Sequence, residues 1–224
     1  MSTPVLDGSL DLGDPQAVAD LRIFLLRARA VEDGAVRLQA VGGVLAAYVC
    51  VLGPRILGEA TPTVLGLRTM ALAQPVHADA IVSMASVFDR LARLGETGTV
   101  LELPPTHVRA SWAAVSPPRG PWEPQGAISG DDILTEATAG IGEVAGTVPD
   151  RPGASMVHGV RSAVWGRDLG SSPGVPLGAA FAAHVLGFAA AGEDLLRFTC
   201  GPWVRLSSGR GHILCRRPSV LARL

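Results

Sequence analysis

Lysine and asparagine are absent from the 224 residues, so all nineteen basic side chains are arginine. High-GC coding accounts for both gaps, but the missing lysine has chemical consequences whatever its origin. It excludes a Schiff base to pyridoxal phosphate, a phosphate-loop lysine and a kinase-type phosphate lysine. Aromatic residues make up only 4% of the chain, so its core must be assembled from alanine, glycine and aliphatic side chains. Three cysteines, Cys50, Cys200 and Cys215, are an odd number with no CxxC pair. They suggest neither a disulfide framework nor a structural zinc site. His77, His107, His158, His184 and His212 include no HxxxH or HExxH spacing, and neither metal nor cofactor is expected.

Basic residues are also missing from the first twenty positions, which carry Asp7, Asp11, Asp14 and Asp20. That is the reverse of a secretory or transit peptide, and a reducing cytoplasm is the expected location. The one run near membrane-spanning length, "VPLGAAFAAHVLGFAAAG" (175–192), is mostly alanine and glycine, holds His184 at its middle and lacks flanking aromatic anchors. It reads as a buried helix, and no membrane partner is expected.

What is present fits a folded globular chain: 48% hydrophobic and 17% charged residues, with length for one large or two small domains. "DPQAVADLRIFLLRARA" opens with Asp14 as an N-cap and Pro15 at the first helical position, and Val18, Leu21, Leu25 and Ala28 recur at helical spacing. "AVRLQAV" and "VLAAYVCVLG" meet at Gly42-Gly43, a hairpin signal. A strand at 63–73, a helix from Ser83 and the short strand "TVLEL" follow. The expected organisation is a small antiparallel sheet with packed helices (1–104), a Trp/Pro strap (105–128) and a helical domain with a basic terminal hairpin (129–224).

In that last segment come three helical runs, "DDILTEATAGIGEVAG", "ASMVHGVRSAVWGR" and "PLGAAFAAHVLGFAAAG", and then the strands "LLRFTC", "WVRL" and "HILCR". In element order and length, residues 131–217 resemble a winged helix. The resemblance implies an α+β fold ending in a three-helix unit with a wing-like hairpin. A DNA-reading role is not implied, because the third helix offers Ala179, Ala180, Ala182, Ala183 and His184 where base-contacting side chains belong. The chain is also similar to uncharacterised proteins of high-GC actinobacteria in stretches such as "TVLGLRTMALA", "SPPRGPWEP", "GAAFAAHVLGF" and "RLSSGRGHILCR". That likeness implies no activity.

No catalytic constellation stands out. "GIGEVA" (140–145), with Asp168 further on, fits G-x-G-x-x-A, but the preceding residues read as helix where a dinucleotide fold needs a buried strand. A close neighbour packing on small residues explains it better. His212 and Cys215, three apart on a strand, point to opposite faces and do not cooperate. The acidic pairs Glu32-Asp33, Asp131-Asp132 and Glu193-Asp194 fall at helix ends and turns, where caps account for them.

Charge is distributed unevenly. From Leu195 to the end there is no acid, while Arg197, Arg205, Arg210, Arg216, Arg217 and Arg223 give +6; the rest carries thirteen arginines against twenty acids, −7, and the two sum to −1. With a turn at Ser208-Gly209, Arg205 faces His212, Trp203 faces Leu214, and both lie outward with Arg216. Trp203, Arg205, Arg210, His212, Arg216 and Arg217 therefore form the candidate surface for nucleic acid or an acidic protein partner. The expected function is a non-catalytic interaction or regulatory module. Two alternatives stand beside it: an enzyme or small-molecule site under the strap, using His107, Arg109, Trp112, Arg119, Trp122 and Glu123, and a homodimer completed by the alanine-rich helix.

Overall fold

The computed structural model describes residues 8–56, 58–149 and 153–217. Asp7 and Arg223, which entered the charge argument, lie outside them. The chain forms two compact units, Met1–Cys50 with Leu67–Ala114 and Val51–Gly66 with Val115–Leu224.

The elements from the N-terminal side are β1 (Ser9–Asp11), α1 (Pro15–Val31), β2 (Ala35–Leu52), β3 (Thr63–Ser83), α2 (Met84–Arg93) and β4 (Val100–Glu102). In the first unit β1 pairs antiparallel with β4, Leu10 opposite Leu101. Helix α1 begins as its sequence demands: the Asp14 carboxylate accepts from the Gln16 N–H at 2.8 Å, and Pro15 follows the cap. Its inner face buries Val18, Leu21, Phe24, Leu25 and Ala28. Helix α2, capped by the Ser83 hydroxyl, packs on α1 and buries Met84, Val87 and Leu91.

The hairpin expected at Gly42-Gly43 does not form. Residues Ala35–Leu52 are one strand. Up to Ala40 the even positions Val36, Leu38 and Ala40 are buried; beyond the glycines the odd positions Leu45, Ala47 and Val49 are. Gly42, at φ +59, sits where this phase slips by one residue. An extra residue in a strand produces such a slip, and only glycine adopts that backbone readily. The glycines mark an extra residue within one strand where the sequence suggested a reversal of direction.

The second unit continues after a 3-10 turn (Ser111–Ala114) with β5 (Glu123–Ser129), α3 (Gly130–Thr147), α4 (Ala154–Trp165), β6 (Asp168–Leu169), β7 (Ser172–Pro176), α5 (Leu177–Val185), β8 (Asp194–Cys200), β9 (Trp203–Ser208) and β10 (Gly211–Arg216). Its core centres on Trp165, fully buried, with its ring stacked on Phe181 at 4.5 Å. Gly140 of the G-x-G stretch lies where a Cβ would come 2.3 Å from the Trp165 ring. The small residue is there because the indole is. Helix α5 packs against α3, α4 and β10, and Leu177, Gly178, Ala179, Ala180, Ala182 and Ala183 are all buried. The alanine-rich helix is thus covered by its own chain over these six residues, while His184 is exposed.

The winged-helix expectation is overturned here. The main sheet has six strands in the order β2-β3-β10-β9-β8-β5, with β5–β8, β8–β9 and β9–β10 antiparallel. A wing is a terminal hairpin at a sheet margin, whereas β9 and β10 are flanked by β8 and β3 in the interior of a large sheet. The β6–β7 pair also separates α4 from α5. The fold is α+β around a large sheet, in place of a small sheet followed by a three-helix unit. Element order along the chain carried the winged-helix likeness; which strands become neighbours across long separations is invisible to it.

Candidate interaction surface

The β9–β10 turn falls at Gly209-Arg210, so Arg205 is opposite Leu214, Trp203 opposite Arg216 and Ser207 opposite His212. The register differs by two residues from that expected with a Ser208-Gly209 turn. An even shift leaves the faces unchanged. Leu206, Ile213 and Cys215 are buried on one face, where a Cβ on Gly211 would strike the Phe188 ring. Burial pushes the Cys215 thiol up to about 12, leaving it no thiolate at neutral pH. His212 on the other face hydrogen-bonds Ser207 at 2.9 Å.

Trp203 shares that second face but is only 4% exposed. The expectation that it lies outward is incorrect, and its ring is unavailable for stacking. Two of the expected arginines meet acids: Arg210 makes a two-pronged pair with Glu193, at 2.6 and 2.9 Å, and Arg217 bridges to Asp168. Arg216 is half-buried beside Trp203. Arg197, on the helix-covered face, donates to the Ser172 hydroxyl at 2.8 Å.

Arg205 is placed differently. Its guanidinium carbon lies 4.6 Å from the Trp122 ring centroid and 4.5 Å from that of Phe198. Cross-strand pairing explains Phe198, which sits directly opposite Arg205 in β8, and Trp122 immediately precedes β5 at the sheet margin. Each ring contact is worth about 0.5–2 kcal/mol depending on desolvation. No acid among the described residues bonds to this guanidinium, and its Nε is buried with no hydrogen-bond partner. Burial lowers its pKa from the usual arginine value. The neighbouring Leu196 and Pro124 are exposed on the same face.

The six residues proposed for a cleft divide between the units. His107, Arg109 and Trp112 belong to the first, Arg119, Trp122 and Glu123 to the second. Of these, Trp112 and Trp122 are half-buried and the other four exposed, and Glu123 begins β5.

A cluster that the sequence reading did not find lies elsewhere in the second unit. The Glu59 carboxylate receives the Thr61 hydroxyl and the Arg55 backbone N–H, and it faces His158 Nε2 at 2.5 Å. Ser162 stands 3.5 Å from the same nitrogen. Burial alone would raise the Glu59 pKa, but the bonds from Thr61, Arg55 and His158 outweigh it and bring it down to about 2. A nucleophile relay needs its hydroxyl on one imidazole nitrogen and its acid on the other. Here both meet the same nitrogen, so the group clasps the 53–62 segment to α4 and does not activate Ser162. His158 and Ser162, four apart on a helix, were legible as a same-face pair; Glu59, 99 residues from His158, was not. Among the described residues no group of three or more His, Cys, Asp or Glu is arranged to hold a metal ion, and no helix is long and apolar enough to cross a membrane.

Two family models match the chain. A domain of unknown function (DUF8010) matches residues 6–114, and a second domain of unknown function (DUF8185) matches 117–220. No curated protein matches it. Solved structures to which it is similar include DNA polymerase sliding clamps. They include the polymerase III beta protein of Caulobacter crescentus (10% identity, TM-score 0.49, covering 93% of this chain and 64% of that one). The beta-subunit clamp of Bartonella birtlesii bound to griselimycin gives 13%, 0.48, 93% and 64%. The clamp of Pseudomonas aeruginosa gives 12%, 0.48, 94% and 64%. The chain thus spans 64% of the length of each of these proteins.

Proposed function

We propose that the chain is a non-catalytic binding module whose contact surface is the Arg205 face of β8–β10 and whose partner is an acidic protein segment. The observation that carries this reading is the Arg205 guanidinium, held by the Trp122 and Phe198 rings with no acid among the described residues bonded to it. A cation fixed by rings keeps its charge and some of its N–H donors for an incoming carboxylate. Exposed Leu196 beside it supplies an apolar contact for the same segment. Nucleic acid is the less favoured partner. Its binding draws on a row of uncompensated cations and on open ring faces, whereas Arg210 and Arg217 are matched by Glu193 and Asp168, and Trp203 is buried.

Fluorescence anisotropy tests this with three probes: a labelled peptide alternating glutamate and leucine, single-stranded DNA and duplex RNA, each at low and moderate salt. The peptide is expected to bind, and Arg205→Gln is expected to weaken it tenfold or more. Tight nucleic-acid binding with no peptide binding would reverse the choice of partner. No binding by any probe would remove this face as the contact surface.

A further inference from the structure

In the second unit, acids accompany exposed arginines and not a half-buried one. The exposed guanidiniums of Arg167, Arg210 and Arg217 meet Glu143, Glu193 and Asp168. Half-buried Arg197 of β8 bonds to no acid among the described residues and, unlike Arg205, lies over no aromatic ring. Only one of its five N–H donors meets a protein acceptor there: Nη1 donates to the Ser172 hydroxyl at 2.8 Å. Its Nε is buried with no hydrogen-bond partner. A guanidinium cannot give up its proton to relieve this, and a charge withdrawn from water without a counter-charge is costly. The acids nearest in the fold are already engaged. Asp168 of β6 bridges to Arg217, and Glu136 of α3 accepts from the Gly170 and Ser171 N–H groups at 2.6 and 3.0 Å.

Open space adjoins Nη2. Gly174 has φ +87, which glycine alone adopts readily, and a Cβ placed on it would find Arg197 Nη2 at 4.0 Å and no other atom as near outside its chain neighbours. Pro173 and Gly174 are exposed, so this side reaches solvent. Ser172 is only 4% exposed; its oxygen receives Arg197, and its own proton has no acceptor among the described residues.

We propose that Arg197 and Ser172 form a binding site for a small oxyanion, the phosphate or carboxylate group of a small molecule, entered past Gly174. Nη2 donates to one oxygen and the Ser172 hydroxyl to another, while the bond between Nη1 and Ser172 fixes the two donors relative to each other. A tetrahedral phosphate carries more charge and offers acceptors in both directions, so it is the tighter ligand. Arg197 and Phe198 are consecutive in β8 and face opposite ways, which puts this site on the other side of the sheet from Arg205.

Isothermal titration calorimetry of the full chain, dialysed into a chloride buffer free of oxyanions and held at constant ionic strength, tests this with inorganic phosphate and, in a second arm, acetate. Saturable phosphate binding is expected. Arg197→Met, which keeps the aliphatic stem, should weaken it about tenfold or more, because a hydrogen bond to a charged group is lost. Ser172→Ala should weaken it less, and Arg205→Gln should leave it unchanged. Melting temperature gives a second readout that needs no Arg197 variant: it should climb further with phosphate for the natural chain than for Ser172→Ala, whereas general salt stabilisation would raise both alike. Either anion binding through Arg197 upholds the site, and the tighter one names the ligand's class. No saturable binding of either anion, or binding and melting responses that are the same in the natural chain and both site variants, overturns the proposal. None of these outcomes depends on the acidic-segment surface at Arg205, which stands or falls separately.

Discussion

Helices α1 and α5 both carry more apolar surface than one buried face requires, and they resolve the excess in opposite ways. Helix α5 is short, poor in charge and buried at six of its nine positions, enclosed by α3, α4 and β10. Helix α1 is interrupted by Asp20, Arg22, Arg27 and Arg29, and it leaves Ile23 and Leu26 outside. In one, uniform small residues admit neighbours from every direction; in the other, charges divide the surface into two stripes. An apolar helix and a twice-amphipathic helix are different instructions.

Substitutions on covered and uncovered surfaces should separate sharply. The largest effect is expected at Gly140→Ala, where the added Cβ meets Trp165: overpacking of this kind costs about 1–3 kcal/mol, measured as a lower urea midpoint with an unchanged slope. The next effect is expected at Glu59. Its pKa is held below its unfolded value, so its contribution is fully present above about pH 4.5 and is lost as the pH falls toward about 2. Thermal melts in that acid window should fall less steeply for Glu59→Gln than for the natural chain, with a lower plateau at neutral pH. Two residues from Gly140, Gly142 has nothing within 4 Å of an added Cβ. Gly142→Ala should therefore stabilise by up to ~1 kcal/mol through helix propensity, and loss of stability would mean that this face is covered. The smallest shift is expected at Leu26→Glu, 52% exposed, within about 0.5 kcal/mol as for surface sites generally.

Local rules located most elements. The Asp14 and Ser83 caps, the buried stripe of α1, the buried 177–183 segment and the strands after Asp194 all follow from neighbours within a few residues. Failures came where distant segments decide. β5 pairs with β8 across some seventy residues, and β10 neighbours β3 across still more, so a six-stranded sheet resembled a bundle with a wing. The basic hairpin was legible as composition, but its partial neutralisation by Glu193 and Asp168, and the burial of Trp203, depend on tertiary placement. Arg205 was named from sequence among six candidates; that rings hold it could not be, because Trp122 lies 83 positions away and reaches it only through the pairing of β5 with β8 and of β8 with β9.

The phase slip in β2 has a bearing on how this sequence can change. Length changes in a half-buried strand are ordinarily ruinous in odd numbers, since every side chain beyond the lesion exchanges core for water. Here a single extra residue is already accommodated at Gly42 and Gly43. Deleting one of these two glycines would restore plain alternation and leave Leu45, Ala47 and Val49 on the side shared by Val36, Leu38 and Ala40. That makes this glycine pair the point in β2 at which the loss of one residue is least costly, although it carries no side chain at all.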